Sequence, residues 1–178
     1  DFDMGIQCEE MIDRMDDKIH NFLVKIGASN LENRQVQQLA KDIDTITDLE
    51  RIGDHLENIL EFFQERHENK IELHEEARAD LLDLFDFLRM SLKEALQAYI
   101  NKDVLLAREV NIRESVLDKK VKQYRKKHIT RIQDCSCSET EAGYYVDILS
   151  NLERIGDHCN NMAVNVLFED FTHDDQLF

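Results

Sequence analysis

A heptapeptide occurs twice in the chain, as Leu49-Glu50-Arg51-Ile52-Gly53-Asp54-His55 and as Leu152-Glu153-Arg154-Ile155-Gly156-Asp157-His158. In each copy an aspartate follows a glutamate at the fourth position. On a helix this interval sets both carboxylates on one face, a turn apart, where they reach one ion or two adjacent ions. Glu9 with Asp13, and Glu114 with Asp118, repeat the interval. If the Glu9 pair faces the Glu50 pair, four carboxylates converge, and the Glu114 pair can meet the Glu153 pair in the same way. Oxygen clusters of this kind suit hard or borderline cations such as iron, manganese, magnesium or zinc.

Spacing by itself says little in a chain with 38 acidic residues, where such a pair usually marks a solvated face. Position says more. Glu50 and Asp54 border the apolar residues Leu49, Ile52 and Leu56, at the margin where a neighbouring helix must pack. Like charges there repel and lose hydration unless a cation, an arginine or a proton neutralises them. Arg51 and Arg154 do so only in part, because adjacent helical side chains diverge by about 100°. Gly53 and Gly156 sharpen the expectation: a glycine inside a helix costs about 1 kcal/mol against alanine, so its recurrence suggests the close approach of a helix or ligand. His55 and His158 point about 100° away from the adjacent aspartates. That suits a half-buried histidine bonded to the next helix better than direct ligation, and leaves open a supporting role behind the ligands. Asn58 and Asn161 are further supporting candidates, and Met11, Met15, Met90 and Met162 are read as core filling.

The elements that must position these groups are helices. The chain of 178 residues contains no proline and only five glycines, a composition suited to long helices and poorly suited to strands and turns. Apolar residues recur at helical spacing in five blocks, roughly 4–26, 30–67, 73–100, 102–133 and 138–168. Gly27 is expected to cap the first helix, and Ser29-Asn30-Leu31-Glu32 and Ser138-Glu139-Thr140-Glu141 read as capping boxes opening the second and fifth. Ile46, Leu49, Ile52, Leu56, Ile59 and Phe63 form one apolar stripe, and Leu149, Leu152, Ile155, Cys159, Met162 and Val166 form another. Moving the chain by 103 residues lays one heptapeptide on the other, with Asp44 over Asp147 and Asn58 over Asn161. A shift of 105 lays Glu9-Glu10-Met11-Ile12-Asp13 over Glu114-Ser115-Val116-Leu117-Asp118, more weakly. The expected fold is therefore an all-α tandem three-helix-repeat bundle. Residues 1–70 form a first, partial repeat that lacks its opening helix, 71–178 form a second, and together they make one compact domain.

The formal net charge of −16 argues against a nucleic-acid partner, which requires clustered Lys and Arg. No apolar run approaches the roughly 18 residues of a membrane span, and no leader is present, so the sequence reads as a soluble piece. Cys8, Cys135, Cys137 and Cys159 lack CxxC spacing and fit a reducing cytoplasm. Cys135-Ser136-Cys137 reads as a polar loop in preference to half of a soft-metal site.

The duplicated Glu-Arg-Ile-Gly-Asp-His segment, followed by Asn58 and Asn161, closely resembles the PhoU family of phosphate-uptake regulators, over almost the whole chain. The resemblance implies two three-helix repeats in a bundle. It also implies Glu/Asp-x-x-x-Asp motifs holding a multinuclear metal cluster, iron or zinc ahead of manganese or magnesium. The ligands carried over are Glu9, Asp13, Glu50, Asp54, Glu114, Asp118, Glu153 and Asp157. The implied partner is a membrane phosphate transporter, in trans or in the same chain, because the sequence also looks like the PhoU-like domain that follows the membrane domain in relatives of bacterial sodium/phosphate cotransporters. A cytoplasmic location, free or tethered to the inner face of the membrane, inorganic phosphate as a ligand, and a homodimer all accord with that role. Asp83, Asp86 and Glu94 match no motif of the family.

Two other readings compete. A ferritin-like di-metal enzyme uses Glu-x-x-His, and no glutamate here is followed by histidine at the third position. With no nucleophile-and-base set and no phosphate-cradling loop, the chain reads as a non-enzyme. The remaining alternative is a metal-free helical interaction bundle whose acidic faces give solubility.

Overall fold

The computed structural model of the chain describes residues 2–134 and 137–174, with the side chains at positions 139 and 169–174 left aside. Five α-helices account for it: α1 (Phe2–Gly27), α2 (Asn33–Glu68), α3 (Glu75–Asn101), α4 (Val104–Gln133) and α5 (Glu139–Asp174). Each coincides within a few residues with one of the five apolar blocks, and no strand occurs among the described residues.

Helix ends follow local chemistry, with two corrections to the sequence reading. Glu32 is the N-cap of α2, and its capping box closes on Gln35, whose side chain accepts from the Glu32 backbone N–H at 2.9 Å. Ser29 instead donates back to the Ile26 carbonyl at 2.6 Å, which ties it to the end of α1. Gly27 does not adopt the left-handed conformation of a glycine cap. A Cβ there would stand 3.1 Å from Leu39, so its role is space for α2. At α5, Ser138 accepts from the Glu141 N–H at 3.1 Å. The reciprocal half of that box is replaced, because the Glu141 carboxylate accepts from the His74 backbone N–H at 2.6 Å and so joins α5 to the start of α3. Left-handed Lys70 and Lys102 turn the chain after α2 and α3, and Asp103 caps α4 by accepting from Leu106 N–H at 3.1 Å. Cys135 and Ser136, the first part of the sequence-predicted loop motif, lie outside the described residues.

Helix α5 is the centre of the packing. It contacts α2, α3 and α4, whereas α1 packs on α2 alone among the described residues. This explains why two nearly identical stripes have different fates. All six stripe residues of α5 are buried, from Leu149 to Val166. In α2, Ile52 and Ile59 are buried, Ile46, Leu49 and Phe63 are half-buried, and Leu56 is exposed. Met162 is core, as expected, but Met11, Met15 and Met90 are about half exposed, because the outer faces of α1 and α3 are left uncovered. The acidic residues of α3 that matched no motif have a structural use. Asp83 pairs with Lys120 at 2.7 Å, Glu94 with Arg113 at 2.7 Å, and buried Asp80 with Lys127 at 2.8 Å and Arg131 at 3.1 Å, all across the α3–α4 contact. Asp86 pairs with Arg89 on its own helix.

Candidate metal centre

Helices α1 and α2 pack against each other, and Gly53 of α2 lies over Ile12 of α1. This brings Glu9 and Asp13 to Asp54, with carboxylate oxygens of all three within 4.8 Å of one another. Glu50 is not part of that trio. It stands beside Arg51 at 3.5 Å, and the same arginine reaches Asp54 at 3.3 Å. No cation pairs with Glu9 or Asp13 among the described residues. Burial, Glu57 and Asp13 push the Glu9 carboxyl up to about 7. Burial and Asp54 raise Glu50, and burial and Glu61, ahead of Asp54, raise Glu57. Asp16 of α1 also raises Glu50. The spacing of paired carboxylates missed Glu57 and Asp16. Both follow a motif aspartate by about one helical turn, as Asp54-x-x-Glu57 and Asp13-x-x-Asp16, and that three-residue interval was the available signal.

The second group is built from α4 and α5 and is more neutralised. Burial, Asp118 and Asp157 raise the Glu114 carboxyl, and burial and Asp118 raise Asp157, so these three acids share one field. Glu153 is diverted: Arg125 holds it at 2.7 Å, and Lys122 holds Asp118 at 3.2 Å. The counterpart of Glu57 is Asn160, which accepts from Asn111 at 2.8 Å. Gly156 is needed for close packing, since a Cβ there would stand 2.0 Å from Leu117 Cδ2. At Gly53 the equivalent Cβ would meet Ile12 at an ordinary 3.5 Å. The expectation of a close approach therefore holds at one of the two glycines.

Both histidines sit between α2 and α5, half-buried and bonded across the contact. The rings of His55 and His158 stack with centroids 5.6 Å apart. His55 Nδ1 meets Asn151 Oδ1 at 2.9 Å, and His158 Nδ1 meets Asp48 Oδ1 at 2.8 Å. Asp48 and Asn151 are counterparts under the 103-residue shift, so the same bond is made twice in opposite directions. Asn161 donates to the same Asp48 oxygen at 3.0 Å, whereas Asn58 bonds within its own helix to the Asp54 carbonyl.

The donor chemistry of the first group fits an oxygen-coordinated cation: hard carboxylate ligands, drawn from two helices, with like charges close together and Glu9 and Asp13 paired with no basic group among the described residues. The second group fits less well, because two of its four sequence-predicted ligands already hold basic side chains.

Comparison with known proteins gives a consistent picture. A family model described as PhoU domain matches residues 4–63 and 81–166. The phosphate-specific transport system accessory protein PhoU homolog 1 of Thermotoga maritima is 30% identical over 164 residues, covering 92% of this chain and 70% of that protein. A homolog of the same description from Xylella fastidiosa is 25% identical over 170 residues, covering 93% and 69%. Among solved structures, PhoU from Pseudomonas aeruginosa superposes with a TM-score of 0.90 at 21% identity, over 96% of this chain and 81% of that one. The phosphate transport system regulatory protein PhoU from Streptococcus pneumoniae gives 0.83 at 20% identity, over 96% and 79%.

Proposed function

The chain belongs to the PhoU domain family, and on that premise we propose that it is a regulatory, metal-binding domain that controls phosphate uptake or signalling by acting on a membrane phosphate transporter. The relatives' description as accessory proteins of a phosphate-specific transport system supports the regulatory role and a transporter partner, in trans or in the same chain. None of the described helices is long and apolar enough to cross a membrane. In this reading the domain works on the cytoplasmic side, free or tethered to the inner face of the membrane. The domain divides into units 1–70 and 71–178, each presenting one acidic group. It works by binding rather than by catalysis.

The observation that carries the metal part is the convergence of Glu9, Asp13 and Asp54 across the α1–α2 contact. These residues would hold a metal cluster, iron or zinc, with Glu50 and Glu57 beside them. Bound metal would supply positive charge and open coordination positions to inorganic phosphate on an otherwise acidic surface. The chain's own part is to gather the carboxylates and to fix α2 against α5 through the histidine pair.

Elemental analysis of the purified protein tests this, beside Glu9→Gln/Asp13→Asn/Asp54→Asn and Glu114→Gln/Asp118→Asn/Asp157→Asn variants. Two or more equivalents of iron or zinc, mostly lost in the first variant, are expected. Metal-free protein that stays metal-free after loading would leave the alternative, a metal-free helical interaction bundle. The pairing of Arg125 with Glu153 and Lys122 with Asp118 favours that alternative for the second group. The regulatory part is tested separately, by phosphate uptake in cells with and without the protein, and equal uptake at low and high phosphate would count against it.

A further inference from the structure

Between the end of α2 and the start of α3 lies a cavity of about 590 Å³, inside the roughly 300–1,000 Å³ typical of small-molecule sites. Its apolar wall is made by Phe63, Leu73, Leu81 and Phe85, with the two phenylalanine rings 6.3 Å apart and tilted by 33°. Arg66 and Arg78 line the same space, opposed by Glu72 alone among its acidic groups. The cavity thus carries an excess of one positive charge in a chain whose net charge is −16.

The two arginines are not fully used by the fold. Arg66 Nη1 donates to the Ile71 carbonyl at 3.1 Å, and its guanidinium lies 5.7 Å from the Phe63 ring centre. Its Nε is buried with no hydrogen-bond partner. Arg78 is exposed, and its guanidinium makes no hydrogen bond or ion pair among the described residues. A buried N–H without a partner is costly, and a guanidinium presents donors in a fixed fork that matches a carboxylate or sulfonate. Arg66, Glu72, Leu73 and Arg78 fall between the two stretches matched by the family model, so both arginines of the cavity come from the intervening segment, while Phe63, Leu81, Leu82 and Phe85 come from the matched stretches.

We infer that this cavity binds a small organic anion with a ring-sized apolar body, its charged head between Arg66 and Arg78 and its body against Phe63 and Phe85. The site is separate from the acidic groups and does not depend on the metal-binding reading.

Fluorescence titration of the intact protein with anilinonaphthalene sulfonate tests the site, with uncharged phenylnaphthylamine as the comparison. Saturable binding at one site per chain is expected, with the uncharged compound at least about tenfold weaker, a difference of about 1.4 kcal/mol. Arg78→Glu and Leu82→Asp each change an exposed position on the rim, so folding is retained, as circular dichroism will verify, and each should weaken the sulfonate about tenfold or more. Phe22→Ser, on the exposed apolar side of α1, should leave binding unchanged. Equal affinity for the charged and uncharged compounds, loss in Phe22→Ser with retention in Arg78→Glu, or no saturable binding at all would each overturn the inference.

Discussion

At the scale of single residues, identical side chains meet different surroundings. Glu50 and Glu153 occupy the same place in the repeated heptapeptide, yet one stands among acids beside Arg51 and the other is held by Arg125 from α4 at 2.7 Å. No inspection of the heptapeptide separates them, because Arg125 has no arginine or lysine counterpart at the corresponding position of α1, where the 105-residue shift gives His20. His128 supports a residue-scale prediction about pH. It is buried against Tyr145, with ring centroids 4.2 Å apart, and burial holds its pKa below the ordinary value. The unfolded chain then binds more protons than the native one as pH falls through about 6.5, so native stability declines on acidification there and is unaffected above it. His128→Gln is neutral throughout. Urea unfolding at pH 7.5 and 5.5 should show a smaller acid loss for the variant than for the parent, and an equal loss would show that His128 takes no part.

At the scale of helices, the duplicated glycines give opposite predictions. Gly156→Ala must displace Leu117, itself fully buried, and the resulting overpacking costs about 1–3 kcal/mol. Over most of that range the cost exceeds the roughly 1 kcal/mol gained in helix propensity. Gly53→Ala meets only an ordinary contact with Ile12, so the propensity gain of up to about 1 kcal/mol should dominate. Calorimetry should therefore show a lower Tm for the first and an equal or higher Tm for the second; the reverse order would mean that the α1–α2 contact is the tighter of the two. Helix identity and extent were legible from apolar spacing, because a period of 3.6 residues is imposed by any one-sided burial. The misplaced start of α2 was not, since Ser29 and Glu32 both offer a capping oxygen and the choice depends on which residue leaves α1.

For the molecule as a whole, the order of packing sets the order of stability. Helix α5 is covered by three neighbours and α1 by one, and Met4, Met11, Met15 and Phe22 are each more than half exposed on α1. Amide hydrogen exchange in native conditions should accordingly be fastest in α1 and slowest in the central turns of α5 around Leu149 and Leu152. Uniform protection across all five helices would show that α1 and α5 open as one unit. Bound metal, if held by Glu9, Asp13 and Asp54, should slow exchange in α1 more than in α4, because it ties α1 to α2, the one helix it packs against among the described residues.

The sequence by itself determined the helical class, the five helices, the internal duplication and the family, since each rests on composition, period or identity along the chain. It also brought forward the acids that gather at the α1–α2 contact, apart from Glu57 and Asp16. Which carboxylates remain uncompensated, which copy of a repeated stripe is buried, and that His55 and His158 bond reciprocally to Asn151 and Asp48 were decided only by tertiary structure. The physical reason is that charge compensation and burial depend on what a second helix brings to the contact, and residues more than 90 positions away along the chain carry no local signal of their arrival.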